Sequence, residues 1–196
     1  MPPTDSPTMP STDSPGGPPI VRSVHLSGEH TFSKATAESI ELVAGLGVAG
    51  DAHQGARVRH RSRVRADPTS PNLRQVHLVA GELVDELVGR GYDVGPGQLG
   101  ENVTTGGVDL LALPTGAVLA LGVEALVSIT GLRNPCGQID GFRSGLLGEL
   151  RRPGPDGDVV RRAGVMAVVI RGGVVRAGDR VGIALPPTPH HHLVRV

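Results

Sequence analysis

The chain has 196 residues, the length of one domain, and 38% of them are hydrophobic, enough for a core. Lys+Arg and Asp+Glu each number 19, so no net charge draws the molecule toward nucleic acid or an acidic membrane surface. The single cysteine, Cys136, excludes an intramolecular disulfide and any multi-cysteine zinc site.

Residues 1–19 are almost entirely Pro, Ser, Thr, Asp and Gly. They cannot bury enough apolar surface to offset their ordering entropy, and a disordered tail is expected. The stretch has neither the basic start nor the apolar run of a secretory signal. No segment reaches the roughly 18 consecutive apolar residues of a membrane helix. A lone thiol fits a reducing compartment, so the cytoplasm is the expected location.

From Ile20 onward the pattern changes. IVRSVHL (20–26) and SIELV (39–43) predict strands. Residues 56–71 are polar and contain Asp67-Pro68 and Ser70-Pro71, which favour extended or turn backbone, so a long loop is expected. RQVHLV predicts a strand. AGELVDELVGRG predicts a helix, with Leu83/Leu87 and Val84/Val88 at i, i+4 spacing and Gly89/Gly91 closing it. ENVTT, VDLLAL, AVLAL, EALVSITGL, GVMAVVI and AGDRVGIAL follow as short apolar runs. PTG makes a turn, RSGLLGELRR one or two helical turns, and RGG a hairpin joint. Only Phe32, Tyr92 and Phe142 are aromatic, so Val, Leu, Ile and Ala must fill the core. Short strands at a spacing of about 8–12 residues point to a small barrel or sandwich.

GLGVAGDAHQG (45–55) begins with G-x-G-x-x-G, the dinucleotide fingerprint. That fingerprint needs a helix after its glycines to receive the pyrophosphate, and here Gly55 and a run of arginines follow instead. No convincing βαβ succession surrounds it, and the dinucleotide reading is set aside.

Four segments taken together say more: G-D-x-H-x-G (50–55), P-G-x-x-G-E-N-x-T-T (96–105), R-x-P-C (133–136) and the closing AGVMAVVIRGGVVRAGD (163–179). In this order they resemble the molybdenum cofactor sulfurase C-terminal family, the MOSC domains, over residues 20–185. The resemblance implies a mainly β fold, a closed or partly open barrel with a few short helices, followed by an exposed tail, 186–196. It implies a molybdopterin-type molybdenum cofactor with Cys136 as both metal ligand and catalytic residue. That cofactor carries two dithiolene sulfurs, so one protein thiolate suffices. The implied activity is two-electron reduction of N-hydroxylated small molecules. No iron–sulfur ligands or nucleotide site are present, so electrons must come from a separate reductase. Longer family members carry a further N-terminal β domain, so their substrate pocket and partner surface are not carried over.

Read from the residues alone, Cys136 is either a small buried hydrophobe or a thiolate favoured by Arg133. Gly100, Asn102, Thr104 and Thr105 are either a turn entering a strand or a set of donors and acceptors around a polar ligand, with Glu101 bracing the loop. Asp51 and His53, with His77, are either metal ligands or structural. Arg57, Arg59, Arg61, Arg63 and Arg65 share one face if extended, either solvated or gripping a phosphate. The resemblance carries cofactor contacts onto Asp51, His53, Arg57, Gly100, Asn102, Thr104, Thr105, Arg133 and Asn134. His190, His191 and His192 could hold a metal adventitiously. A cofactor carrier or Cys persulfide sulfur-transfer module stays open as an alternative, as does a homodimer. Nucleic acid is disfavoured by the few aromatics and neutral charge.

Overall fold

The computed structural model describes residues 17–154 and 157–196 and, for 61–63, the backbone alone. The expected tail, 1–19, lies outside the described residues up to position 16. Thirteen strands are assigned among the described residues: β1 Ile20–Leu26, β2 Ala35–Ala37, β3 Ser39–Val43, β4 Gly47–Val48, β5 Val76–Ala80, β6 Val103–Gly106, β7 Val118–Leu121, β8 Ala125–Leu132, β9 Arg151–Pro153, β10 Val159–Arg161, β11 Val165–Arg171, β12 Gly173–Arg176 and β13 Val181–Ala184. The helices are α1 Arg61–Ala66, α2 Gly81–Gly89, α3 Gln138–Phe142 and α4 Leu146–Leu150. None is long and apolar enough to cross a membrane.

The alternating residues of β8 fall alternately buried and half-buried, as a strand with one face on the core requires. β5, in contrast, is buried along nearly its whole length. Val76 and Leu78 point into the inter-sheet core and Val79 into a second core under the helices. A strand covered on both faces loses its polar alternation. Leu83, Val84 and Leu87 supply the apolar stripe of α2 to that second core, which Ile139, Leu146 and Leu150 complete from α3 and α4.

Eight strands form the main sheet in the order β13-β7-β8-β11-β5-β6-β1-β2, and β12-β3-β4 form a smaller sheet. All neighbours in the main sheet are antiparallel except β5 and β6, which are parallel with α2 between them. A single βαβ unit therefore exists, contrary to expectation, but the 45–50 glycines lie at the β3–β4 turn instead. The main sheet is not closed into a barrel. Its flanks are joined by one isolated bridge, Ile20 to Arg180, with Val21 N–H donating to Asp179 O at 2.8 Å.

Three other expectations are corrected. RGG is no hairpin joint: β11 pairs with β8 and β5, while β12 crosses to pair with β3. The crossing needs Gly172 and Gly173 because Cβ atoms there would meet Leu42 O at 2.7 Å and Ala125 N at 2.8 Å. VDLLAL is a turn, with Asp109 Oδ1 accepting from Leu111 and Ala112 N–H at 3.2 Å each. The 56–71 loop contains α1, so positions 57–65 are not one extended run and the alternation that would align five arginines on one face is lost. The segment 186–196 is mostly exposed and is held to the sheet. Leu193 packs on the core, and Leu132 N–H donates to Val194 O at 2.8 Å, adding a short parallel bridge beside β8.

That bridge passes so close that a Cβ on Gly131 would collide with the Val194 carbonyl. Gly131→Ala should displace residues 193–196 at a cost of about 1–3 kcal/mol. The expected result is a Tm lowered by about 3–10 °C and faster amide exchange at Leu132 and Val196. An unchanged exchange rate would show that the bridge carries no constraint.

Candidate functional site

Val24 near the end of β1, Val103 at the start of β6, Leu78 in β5, Val165 at the start of β11 and Leu132 at the end of β8 lie level with one another across the main sheet. Loops that leave the sheet near this level enclose a cleft. Its wall includes His30, Phe32, Lys34, His53, Arg59, His60, Arg74, His77, Gly100, Asn102, Arg133, Gln138 and Met166. Segments 50–55, 96–105 and 133–136, far apart in sequence, meet here.

Asp51 sits behind the wall, with 2% of its side chain exposed. Its Oδ2 pairs with the ammonium of Lys34, itself buried, and accepts from Asn102 Nδ2 at 3.0 Å and Ser27 N–H at 3.4 Å. Its Oδ1 accepts from His53 N–H at 3.0 Å and faces His53 Nδ1 at 3.2 Å. Burial works to raise the Asp51 pKa, but the hydrogen bond from His53 and the charge of Lys34 outweigh it and hold the carboxyl well below the usual range. Burial lowers the Lys34 pKa against the pull of Asp51.

Asn102 is saturated by the protein: Nδ2 also donates to His25 O at 3.2 Å, and Oδ1 accepts from His77 N–H at 3.2 Å. Its role in the fold is to tie the 95–102 loop to β1 and β5. Glu101 is fully buried and accepts from Gly97 N–H (2.5 Å), Leu99 N–H (3.1 Å) and the Thr104 hydroxyl (3.1 Å). It braces the loop, and burial raises its pKa. Gly100, at φ +83°, allows the wall to close because a Cβ there would meet Phe32 O at 2.6 Å. Thr104 and Thr105 are enclosed in β6 and do not line the cleft.

Arg133 leaves the end of β8, anchored by its N–H to Gly164 O at 3.0 Å. Its Nη1 is buried with no hydrogen-bond partner among the described residues, and its Cζ lies 5.9 Å from the centre of the Phe32 ring. Burial lowers its pKa, opposed by the charges of Cys136 and Glu101. Cys136 is half-buried, and its thiol donates to Gln138 Oε1, at the cleft wall, at 3.6 Å. Asn134 turns away and accepts from Arg161 Nε at 3.4 Å. Arg57 is exposed and off the wall, whereas Arg59 is on it. His77 donates through Nε2 to Ala163 O at 2.7 Å, and burial pushes its pKa far down. No cluster of metal-binding side chains is found among the described residues.

Sequence reasoning missed Lys34, Phe32, His30, His60 and Met166 as wall residues. Lys34 had a signal, being the only lysine in an arginine-rich chain, and Phe32 is one of three aromatics. The histidines and Met166 carried none.

Loops of a mainly β fold thus bring the segments of a half-buried thiol, an arginine with a buried Nη1 and a carboxylate–amide hub together around one cleft. The MOSC domain family model matches residues 51–182, and the chain belongs to the MOSC family, which is associated with the molybdenum cofactor. The fold resembles the YuaD protein from Bacillus subtilis, with TM-score 0.69 and 21% identity over 88% of this chain and 98% of that one. It also resembles YiiM from Geobacillus stearothermophilus (0.60, 15%, 89% and 80%) and YiiM from Escherichia coli (0.55, 19%, 90% and 73%). At these identities the likeness is one of fold. No functionally curated protein matches the chain.

Lys34→Met would leave the Asp51 carboxylate buried without its cation. The expected cost is about 3 kcal/mol in denaturant unfolding, and a loss under about 1 kcal/mol would show the pair to be dispensable. His25, buried in β1, has its pKa lowered to about 4 by burial and by the charge of Lys34, from an ordinary 6.5. Unfolding therefore takes up a proton between those values, and stability should fall as pH drops from about 6.5 to about 4 and be level above about 7. A Tm profile across this range checks it.

Proposed function

We propose that this MOSC protein is an oxidoreductase that reduces N-hydroxylated small molecules by two electrons at a molybdenum held by Cys136. The observation that carries the reading is the pairing of a half-buried thiol with an arginine whose Nη1 is buried and lacks a protein partner among the described residues. A buried guanidinium left short of acceptors costs free energy unless a ligand satisfies it.

The donor set fits the cofactor. The group carries a phosphate and a polar heterocycle and needs one protein thiolate. Cys136 would hold the metal, a soft ligand for a soft centre. Arg133, with Arg59 and Arg74 on the same wall, would meet the anionic part, since guanidinium groups grip phosphate oxygens in pairs. When bound, the cofactor would supply the electron-donating and oxygen-accepting chemistry at the N–O bond. The chain's own residues do the rest. Phe32 and Met166 give the cleft an apolar lining, Glu101 fixes the loop that presents Gly100, and the Asp51 hub holds the loops that carry Lys34, His53 and Asn102. We further read the protein as cytoplasmic and served by a separate electron-donating reductase.

The test uses protein from a host that makes the cofactor. Wild type should contain molybdenum and reduce an N-hydroxylated base with an artificial electron donor. Cys136→Ser should lose the metal at least tenfold, and equal loading would overturn the ligand assignment. Loaded wild type without turnover would favour the carrier alternative. Arg59→Ala should weaken cofactor retention several-fold while Arg57→Ala leaves it unchanged; equal effects would remove Arg59 from the anion site.

A further inference from the structure

Reducing an N-hydroxy group consumes protons as well as electrons: the hydroxylated nitrogen compound takes up two electrons and two protons and gives the parent N–H compound and one water. The N–O bond breaks, the nitrogen is reduced, the oxygen leaves as water, and the electrons come from the external redox protein. The titratable groups around the cleft are not equally able to supply a proton. Lys34 is committed to Asp51. His77 gives its Nε2 hydrogen to Ala163 O. Glu101 has both oxygens occupied and does not line the cleft.

His53 differs. It lines the cleft, and 28% of its side chain is exposed. Its Nδ1 and its backbone N–H both face the same carboxylate oxygen of Asp51. An ionised carboxylate only accepts, so Nδ1 carries a hydrogen and Nε2 is left to take up and release the exchangeable proton. The exposed His30 ring stands edge-on to it at 5.1 Å between centres, and the His60 ring lies 5.9 Å away. We propose that His53, oriented by Asp51, donates one of the two protons that N–O cleavage consumes and is recharged from solvent on its His30 side. Asp51 is then a positioning residue. The inference rests on the reductase reading above. Asp51, Lys34, His30, His60, His77, Arg59, Arg74 and Arg133 are the charged and titratable groups facing this ring or sharing its cleft.

His53→Gln in the holoenzyme tests it, with the second proton taken from water. A general acid of this kind contributes about 100-fold or more. The variant should keep wild-type molybdenum content and KM within about twofold and lose kcat about 100-fold. In His53→Gly, added imidazole should restore part of the rate. Unchanged kcat at full loading would overturn His53 as donor and leave the reductase reading standing. Loss of molybdenum from His53→Gln would make His53 a cofactor contact and overturn the proposal as well. An inactive, loaded wild type would remove the reading itself. A readout independent of turnover is nitrogen NMR of the histidine rings in cofactor-free protein. The Nδ1–H tautomer is expected for neutral His53, and the Nε2–H tautomer would refute the orientation.

Discussion

The buried carboxylate of Asp51 is the constraint on which one wall of the cleft depends. Burying a carboxylate and an ammonium costs several kcal/mol for each ion, and their attraction offsets this only when other hydrogen bonds complete the set. Here the set is complete. Lys34 comes from the segment entering β2, Ser27 from the end of β1, Asn102 from the loop entering β6 and His53 from the loop after β4. One side chain thus cross-links four segments that the sheet alone would leave independent. Because Asn102 uses its remaining amide hydrogen and its carbonyl on β1 and β5, the hub is also tied to the sheet.

The other wall is organised by a different balance. Arg133 stands between the enclosed carboxylate of Glu101 and the thiol of Cys136, near enough to both to feel their charge. Glu101 spends its hydrogen-bonding capacity on its own loop, so it compensates Arg133 by field and not by contact. Arg133 is thus held in place by its backbone bond to Gly164 and by the field of two neighbours, with its Nη1 buried and without a hydrogen-bond partner among the described residues.

The parts of this fold that were legible in the sequence are those with a clear period. β1, β3, β8 and α2 carry enough consecutive residues for alternation or a helical stripe to show. β2, β4, β9 and β10 have two or three residues each, too few to display a period, and their pairing is decided by what they meet in space. RGG misled because glycines mark close backbone approach as readily as they mark turns, and here they let the chain cross between sheets. For the site, the motif segments were visible and their convergence was not. Nothing local in GDAHQG states that Asp51 faces inward to a lysine 17 residues earlier while His53 faces the cleft. The threonines after Asn102 show the reverse problem: they belong to a motif, yet β6 turns them into the interior.

The thiol occupies a more yielding position than the hub does. Cys136 follows the end of β8 by four residues, so its placement depends on how that strand end is held. On one side Arg133 bonds to Gly164 at the start of β11, and on the other Leu132 bonds to residues 194 and 196. Downstream, the Cys136 carbonyl accepts the Ile139 N–H and so joins α3, whose Ile139 is buried in the second core. Three weak attachments replace one strong one. The cleft therefore pairs a wall fixed by a buried ion pair with a loop held by backbone bonds near the surface. Local opening follows the weaker attachments.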